Sequence, residues 1–390
     1  MIHLFINVLS ATAGGGLTYA RNVLPLITSA PLRASVLISS SLRRELGQLQ
    51  NVNFIEVDVP ALQRFWFEQS KVPALIRECG ADVLLSPGNF AVRKSPVPQI
   101  LLSRNSIYTS ADYFRDLRNR HEYRMLADTH LRGLLAKRSI RWADVTVAPS
   151  EAFAADLKKW TGTEVIPIHH GFDREAFTRN STPLPAEVEA KLDSAKSALK
   201  LLFVSHYNYY RNFETLIRAL PILRQRFRGT AVRLLLTCQL AAGKNPGAYR
   251  PASAVDLIKT LDVSEMVVEL GTIPYGQLHH LYSRADIYVT AAYVETFAHP
   301  LVEAMSSGLP VLASDIPVHR EICGQAANYF DRFSASGLAE SVWQVAASPE
   351  TLKRMAENGS QRSQGFSWTL HLKKLLELCD SLAGHQPLEP

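Results

Sequence analysis

No stretch of the 390 residues approaches the ~20 uninterrupted apolar residues of a membrane-spanning helix, and Met1 to Val8 has no basic segment ahead of its short apolar run. Membrane spanning and secretion are therefore not expected. The four cysteines, Cys79, Cys238, Cys323 and Cys379, stand singly, without the close pairs of a zinc site or a disulfide framework. Reduced thiols in a cytoplasmic protein are the expectation. Long repeats and low-complexity tracts are also missing. With 47% hydrophobic and 20% charged residues, long disorder is excluded as the main state. The length exceeds one ordinary core, which makes two domains the default.

The net charge of +6 is unevenly placed. Residues 1–185 hold 22 Lys/Arg against 16 Asp/Glu, and the remainder holds 20 of each, so the whole excess lies in the first half. Between Arg115 and Arg141 there are eight basic residues, Arg115, Arg118, Arg120, Arg124, Arg132, Lys137, Arg138 and Arg141, against Asp116, Glu122 and Asp128. A basic domain of this kind is simply soluble, or it meets an anionic membrane, nucleic acid or a phosphorylated acceptor. Nucleic acid is disfavoured because no stacking aromatic set interleaves the basic residues. Leu126, Leu131, Leu134 and Leu135 recur at roughly helical spacing in the same segment, where they would face either a membrane or the core.

Short apolar runs alternate with helical patterns: Ile2 to Leu9, Ala34 to Ser40, Phe54 to Val59, Val83 to Ser86, Gln99 to Leu102 and Val145 to Ala148. A second series follows, at Leu199 to Ser205, Val232 to Thr237, Met266 to Leu270, Ile287 to Thr290 and Pro310 to Ala313. Apolar strands between helices indicate parallel sheets covered on both faces. The chain thus reads as two doubly wound α/β domains, with residues 1–185 forming the first and 186–370 the second. The polar, Pro-containing stretch from Arg179 to Leu199 suits the connection, and residues 371–390 form a helix and tail returning to the first domain. Ligands of such sheets bind beyond the carboxyl ends of the strands, so two facing domains would enclose a central cleft for two substrates.

Two motifs carry chemistry. Ser10-Ala11-Thr12-Ala13-Gly14-Gly15-Gly16 follows the first strand, and its glycine amides at a helix start suit an anion, or else form a plain tight turn. Neither a dinucleotide fingerprint nor Walker A fits: a third small residue is missing at Tyr19, and Cys238 stands where glycine should precede Lys244. The stronger motif is Glu295-Thr296-Phe297-Ala298-His299-Pro300-Leu301-Val302-Glu303, ahead of Gly308-Leu309-Pro310-Val311. Two carboxylates straddle a helix start at Pro300. Carboxylates accept hydrogen bonds from sugar and ribose hydroxyls, and the loop amides beside them suit diphosphate oxygens.

With these motifs, and with Val147-Ala148-Pro149-Ser150-Glu151, Gly171-Phe172-Asp173, Arg320-Glu321-Ile322 and Phe366-Ser367-Trp368, the chain resembles the retaining glycosyltransferases of family 4, often called group 1. The resemblance implies the GT-B architecture: α/β, two facing Rossmann-like doubly wound domains with a central cleft. It implies that Glu295 meets the donor sugar and Glu303 the nucleotide ribose. It places Gly15, Gly16, Thr296, Phe297, Ala298, Gly271 and Ile273 with Glu303 in donor binding. The family's Arg and Lys on the donor diphosphate correspond to His206 and Arg211, and His206 would be fully cationic only if protonated. Catalysis is thus expected of Glu295, Arg211 and His206. Tyr207, Tyr209 and Tyr210 would close over the nucleotide or pack in the core. Ala298 stands where the family has Gly. Ser103-Arg104-Asn105-Ser106 replaces the family's first-domain His-Asp, leaving Arg104 and Asn105 on the acceptor side.

The implied function is transfer of a hexose-type sugar from a nucleotide-diphosphate-sugar donor to a glycan or lipid-linked saccharide acceptor, in bacterial-type surface polysaccharide assembly. Such a protein would be cytoplasmic or peripheral on the inner face of the membrane. No cofactor and no metal are expected: no Asp-x-Asp is present, and the adjacent pairs His169-His170 and His279-His280 lack metal-ligand spacing. Two other functions use the same architecture, a nucleotide-sugar epimerase or phosphorylase and a nucleotide-sugar-binding protein without turnover.

Overall fold

Apolar runs become strands where both of their faces find cover. A computed structural model of the chain describes residues 1–12 and 14–384; Ala13 of the glycine loop and residues 385–390 of the expected tail lie outside the described residues. The first sheet comprises β1 (His3–Asn7), β2 (Arg33–Ile38), β3 (Val52–Glu56), β4 (Val83–Ser86), β5 (Gln99–Leu102), β6 (Val145–Ala148) and β7 (Ile166–Pro167). They lie in the order β3-β2-β1-β4-β5-β6-β7, each neighbouring pair parallel. In β1, Leu4 and Ile6 join Val23 and Ile27 of helix Gly14–Ile27 and Leu372 and Leu375 of helix Trp368–Leu382. Phe5, between them, packs with Val72 and Ile76 of helix Ala61–Cys79. That two-sided cover is why the strand shows no polar alternation.

The second sheet repeats the plan with β8 (Leu199–Phe203), β9 (Val232–Leu236), β10 (Val267–Glu269), β11 (Ile287–Thr290), β12 (Val311–Ser314) and β13 (Ala327–Phe330). Their order is β10-β9-β8-β11-β12-β13, again parallel throughout. Both sheets are Rossmann-like, with strand order reversing beside the first strand of each. All the strands expected from apolar runs are present to within a few residues. The two unexpected ones, β7 and β13, are sheet edges: Ile166 and Pro167 are exposed, and in β13 only Phe330 is fully buried.

The chain divides into two compact units, Met1–Ser110, Leu117–Gly171 and Ser367 onwards in the first, Ala111–Asp116 and Phe172–Phe366 in the second. The division therefore falls upstream of the expected 185 to 186. Residues 172–185 pack with the second unit, where buried Phe177 meets the rings of Phe172, Tyr275 and Tyr282 and Pro183 O accepts from Gln277 Nε2 at 3.0 Å. The polar stretch expected to be a connection contains helix Ala186–Ser194, held by Arg284 to Glu189 at 2.7 Å and Asp193 at 2.9 Å. Downstream, Trp368, Leu372, Leu375 and Cys379 join the core of the first unit at helical spacing.

Gly171 and Trp368 explain two of the short motifs. A Cβ on Gly171 would collide with the backbone of Ser367 and Trp368, and backbone, unlike the end of a flexible side chain, cannot move aside cheaply. Gly171→Ala should therefore lower the stability of the first unit by about 3 kcal/mol and its melting temperature by on the order of 10 °C. Gly15→Ala, whose added methyl meets nothing within 4 Å, is the control in the same calorimetric scan. Equal melting of the two variants would contradict the packing reason for Gly171.

Candidate active site

In the second sheet the strand order reverses between β8 and β11, the place where the loops leaving two adjacent strands diverge and leave a crevice. Arg211 comes from the loop after β8 and Glu295 from the loop after β11, and the two side chains form an ion pair. Arg211 is 21% and Glu295 9% exposed. The loops are stapled by backbone geometry. Asn212 takes a left-handed conformation (φ 55°, ψ 50°) and donates from Nδ2 to Ala291 O at 3.1 Å and Arg332 O at 2.6 Å. Tyr293 N donates to Tyr210 O at 3.0 Å, and the Tyr293 hydroxyl to Asp116 at 2.7 Å. Arg211 N is capped by Asn208 Oδ1 at 3.0 Å, whereas Arg211 Nε is buried with no partner among the described residues.

Helix His299–Ser306 starts at this loop, with Pro300 in its first turn. Ala298, just before it, is left-handed (φ 63°, ψ 60°), a conformation that favours the glycine of the family pattern. Phe297 is buried between His299 and Phe366, and Thr296 is half-buried beside Glu295.

Glu303 is 4% exposed, and its Oε2 accepts from the Tyr282 hydroxyl at 2.9 Å. Oε1 accepts no hydrogen bond from the described residues. Burial pushes the carboxyl up to about 7, against the lowering effect of the Tyr282 hydrogen bond. Gly271 follows β10 with φ 81°, and Ile273 is buried just beyond it.

His206 lies exposed on the β8 loop; partial burial and then the Arg211 cation hold it below the usual histidine value. It is neutral at pH 7, so the positive charge of this loop rests on Arg211. Tyr207 and Tyr209 are core residues: the Tyr207 hydroxyl donates to Glu214 at 3.1 Å, and Tyr209 accepts from Arg250 N at 3.0 Å. Tyr210 is half-buried beneath the Arg211 guanidinium, 5.5 Å from its ring centre. Tyr282 and His319 were not indicated by the sequence. His319 is fully buried, with Nδ1 2.9 Å from Ser314 O, and burial pushes it down to about 4. Neither belongs to a recognisable spacing, so only the fold finds them.

Gly15, Gly16, Arg104 and Asn105 belong to the first unit. Gly15 and Gly16 lie in the first turn of helix Gly14–Ile27. Arg104 donates from Nη1 to Gly15 O at 2.6 Å and from Nε to Pro87 O at 3.0 Å, and burial lowers its pKa to about 10. A Cβ on Gly16 would stand 3.3 Å from Arg104 Nη2. Asn105 Oδ1 accepts from Ile107 N at 3.3 Å, capping the turn Ser106–Tyr108. Among the described residues, no group of three His, Cys, Asp or Glu side chains could hold a metal ion.

Two Rossmann-like units of this strand order have the GT-B fold. The family model "Glycosyl transferases group 1" matches residues 186–362, most of the second unit. Among curated proteins, it is 28% identical over 246 residues to D-inositol 3-phosphate glycosyltransferase of Nocardia farcinica, covering 62% of this chain and 53% of that protein. The enzyme of the same name from Corynebacterium urealyticum is 25% identical over 245 residues, covering 62% and 57%. The chain thus spans about half the length of the curated relatives it matches. Among solved structures, sucrose-phosphate synthase of Thermosynechococcus elongatus superposes with a TM-score of 0.76 at 18% identity, over 98% of this chain and 100% of that one. HepE of Anabaena, solved with UDP-glucose, gives 0.72 at 17% identity with the same coverage. At such identity these structures show the fold alone.

The raised Glu303 pKa makes a pH prediction. Below about 4.5 the carboxyl is protonated in folded and unfolded chains alike; from there to about 7 the unfolded chain releases the proton and the folded one keeps it. Rising pH through that window therefore destabilises the ligand-free protein, by ~3 kcal/mol for a shift of this size. Thermal melts should show Glu303→Gln gaining on the unsubstituted protein between pH 5 and pH 8. A constant difference across that range would contradict the buried, proton-holding carboxyl.

Proposed function

We propose that the chain is a retaining glycosyltransferase that moves a hexose-type sugar from a nucleotide-diphosphate-sugar donor to a glycan or lipid-linked saccharide. The transfer would serve bacterial-type surface polysaccharide assembly. The observation that carries this reading is the ion pair of Arg211 and Glu295 at the switch point of the second sheet, with Glu303 on the adjoining helix. A donor of the class that HepE was solved with supports the nucleotide-sugar part.

The difficult step is departure of the nucleoside diphosphate, as negative charge builds on the phosphate and oxocarbenium character on the sugar. Arg211 would meet the phosphate charge together with the positive dipole end of helix His299–Ser306, which is fixed and needs no reorganisation during the step. Neutral His206 would add a hydrogen bond without a charge. As the diphosphate takes the guanidinium, Glu295 would be released to the sugar hydroxyls, and Glu303 would accept from the ribose through Oε1. Thr296, Phe297, Ala298, Gly271 and Ile273 would shape the rest of the donor pocket. No covalent nucleophile, cofactor or metal enters this reading. The first unit would take the acceptor, with Arg104 and Asn105 at the carboxyl ends of its strands, while its Gly15 and Gly16 amides would serve donor binding, and a lipid-linked acceptor would be met at an anionic membrane surface.

The neutral His206 favours one second reading, a nucleotide-sugar-binding protein without turnover; donor affinity with neither transfer nor hydrolysis would select it. Steady-state kinetics separate the two glutamates. Glu303→Ala should raise the donor KM and Glu295→Ala should lower kcat, each by about tenfold or more, the worth of one hydrogen bond to a charged group. Unchanged kinetics in both folded variants would refute the site.

A further inference from the structure

Helix Tyr123–Trp142 of the first unit is built the wrong way round for a helix that only covers a sheet. Its buried residues are Thr129, Gly133, Ala136, Ser139 and Ile140, mostly small, and Gly133 lies close enough to Tyr108 and Trp160 that a Cβ would touch both. Three of its large apolar residues point outward, Tyr123 at 61%, Leu131 at 69% and Leu134 at 61% exposure, while Leu126 and Leu135 are half-buried. At about 100° per residue these three share one arc of roughly 100° with Arg124, Arg138 and Arg141, and Asp128 falls outside it. All three arginines are exposed, and Arg124 and Arg138 pair with no carboxylate among the described residues. Arg141 makes only a long bond, 3.4 Å, to Thr161 O.

We propose that this stripe docks the first unit on an anionic lipid bilayer, with Leu131, Leu134 and Tyr123 entering the headgroup boundary and Arg124, Arg138 and Arg141 meeting lipid phosphates. Alternating apolar and basic side chains on one narrow face match a helix lying in the plane of a membrane interface, where apolar burial and attraction to anionic lipid act together. A second copy of the chain fits poorly. Two-fold pairing would set the arginines of one stripe against those of the other, with no acid in the arc to separate them. The inference deepens the proposed membrane-borne acceptor, but it is read without acceptor or donor.

The test is co-sedimentation with phosphatidylcholine vesicles, with and without 30 mol% phosphatidylglycerol, at low and high salt. The protein should bind the anionic vesicles and be released by salt. Leu131→Ser/Leu134→Ser should weaken binding at least tenfold. Arg124→Gln/Arg138→Gln/Arg141→Gln should weaken it on the order of 100-fold at low salt, since each basic residue near such a surface contributes about fivefold. Absence of binding, or equal binding by both variants, would overturn the proposal. So would a dimer in light scattering that the leucine changes dissociate, which would give the face to a second copy. Thermal-shift response to nucleotides, unchanged in both variants, separates a failure of this face from a failure of the donor site.

Discussion

The ion pair of Arg211 with Glu295 is the interaction on which the second unit is organised. Its partners come from loops after β8 and β11, and those loops are held together by the left-handed Asn212, whose side chain bonds Ala291 and Arg332, and by the Tyr293 to Tyr210 backbone bond. A buried pair of this kind adds little net stability over an apolar one, yet losing either partner leaves an uncompensated charge. That asymmetry suits a site whose ligand supplies replacements. In the proposed function, a diphosphate taking Arg211 and hydroxyls taking Glu295 would exchange one set of satisfied charges for another, without a buried charge standing alone.

The two glutamates of the motif work under opposite conditions. Glu295 is held beside a cation, whereas Glu303 faces a tyrosine hydroxyl in an apolar setting that lifts it to about 7. A carboxyl so poised accepts hydrogen bonds more strongly once ionised, and the ribose of the proposed donor would favour that form. In the first unit Arg104 has the reverse task. It is an arginine tied to Gly15 and Pro87 carbonyls, and so holds the glycine turn rather than standing free.

Strand positions were legible because two-sided burial writes itself as continuous apolar runs, and Glu295 and Glu303 because a motif places them at a helix start. The edges β7 and β13 were not, since an edge needs no such run. The division at Gly171 was hidden because the packing of Phe177 onto Tyr275 and Tyr282 joins residues far apart in sequence. Spacing could not say whether Tyr207 and Tyr209 close over a ligand, and the fold puts both in the core. The leucines of helix Tyr123–Trp142 show the same limit: their spacing is helical, and only the packing of Gly133 shows which side faces out.

The central claim is that the second unit holds a nucleotide diphosphate through Arg211. Calorimetric titration of the tightest-binding nucleoside diphosphate, and of its parent nucleoside, into the unsubstituted protein and Arg211→Ala tests it most directly. The diphosphate should lose tenfold or more in affinity on substitution while the nucleoside, an internal check on folding, keeps its own. Equal loss or no loss for both ligands would place the diphosphate elsewhere and contradict the site.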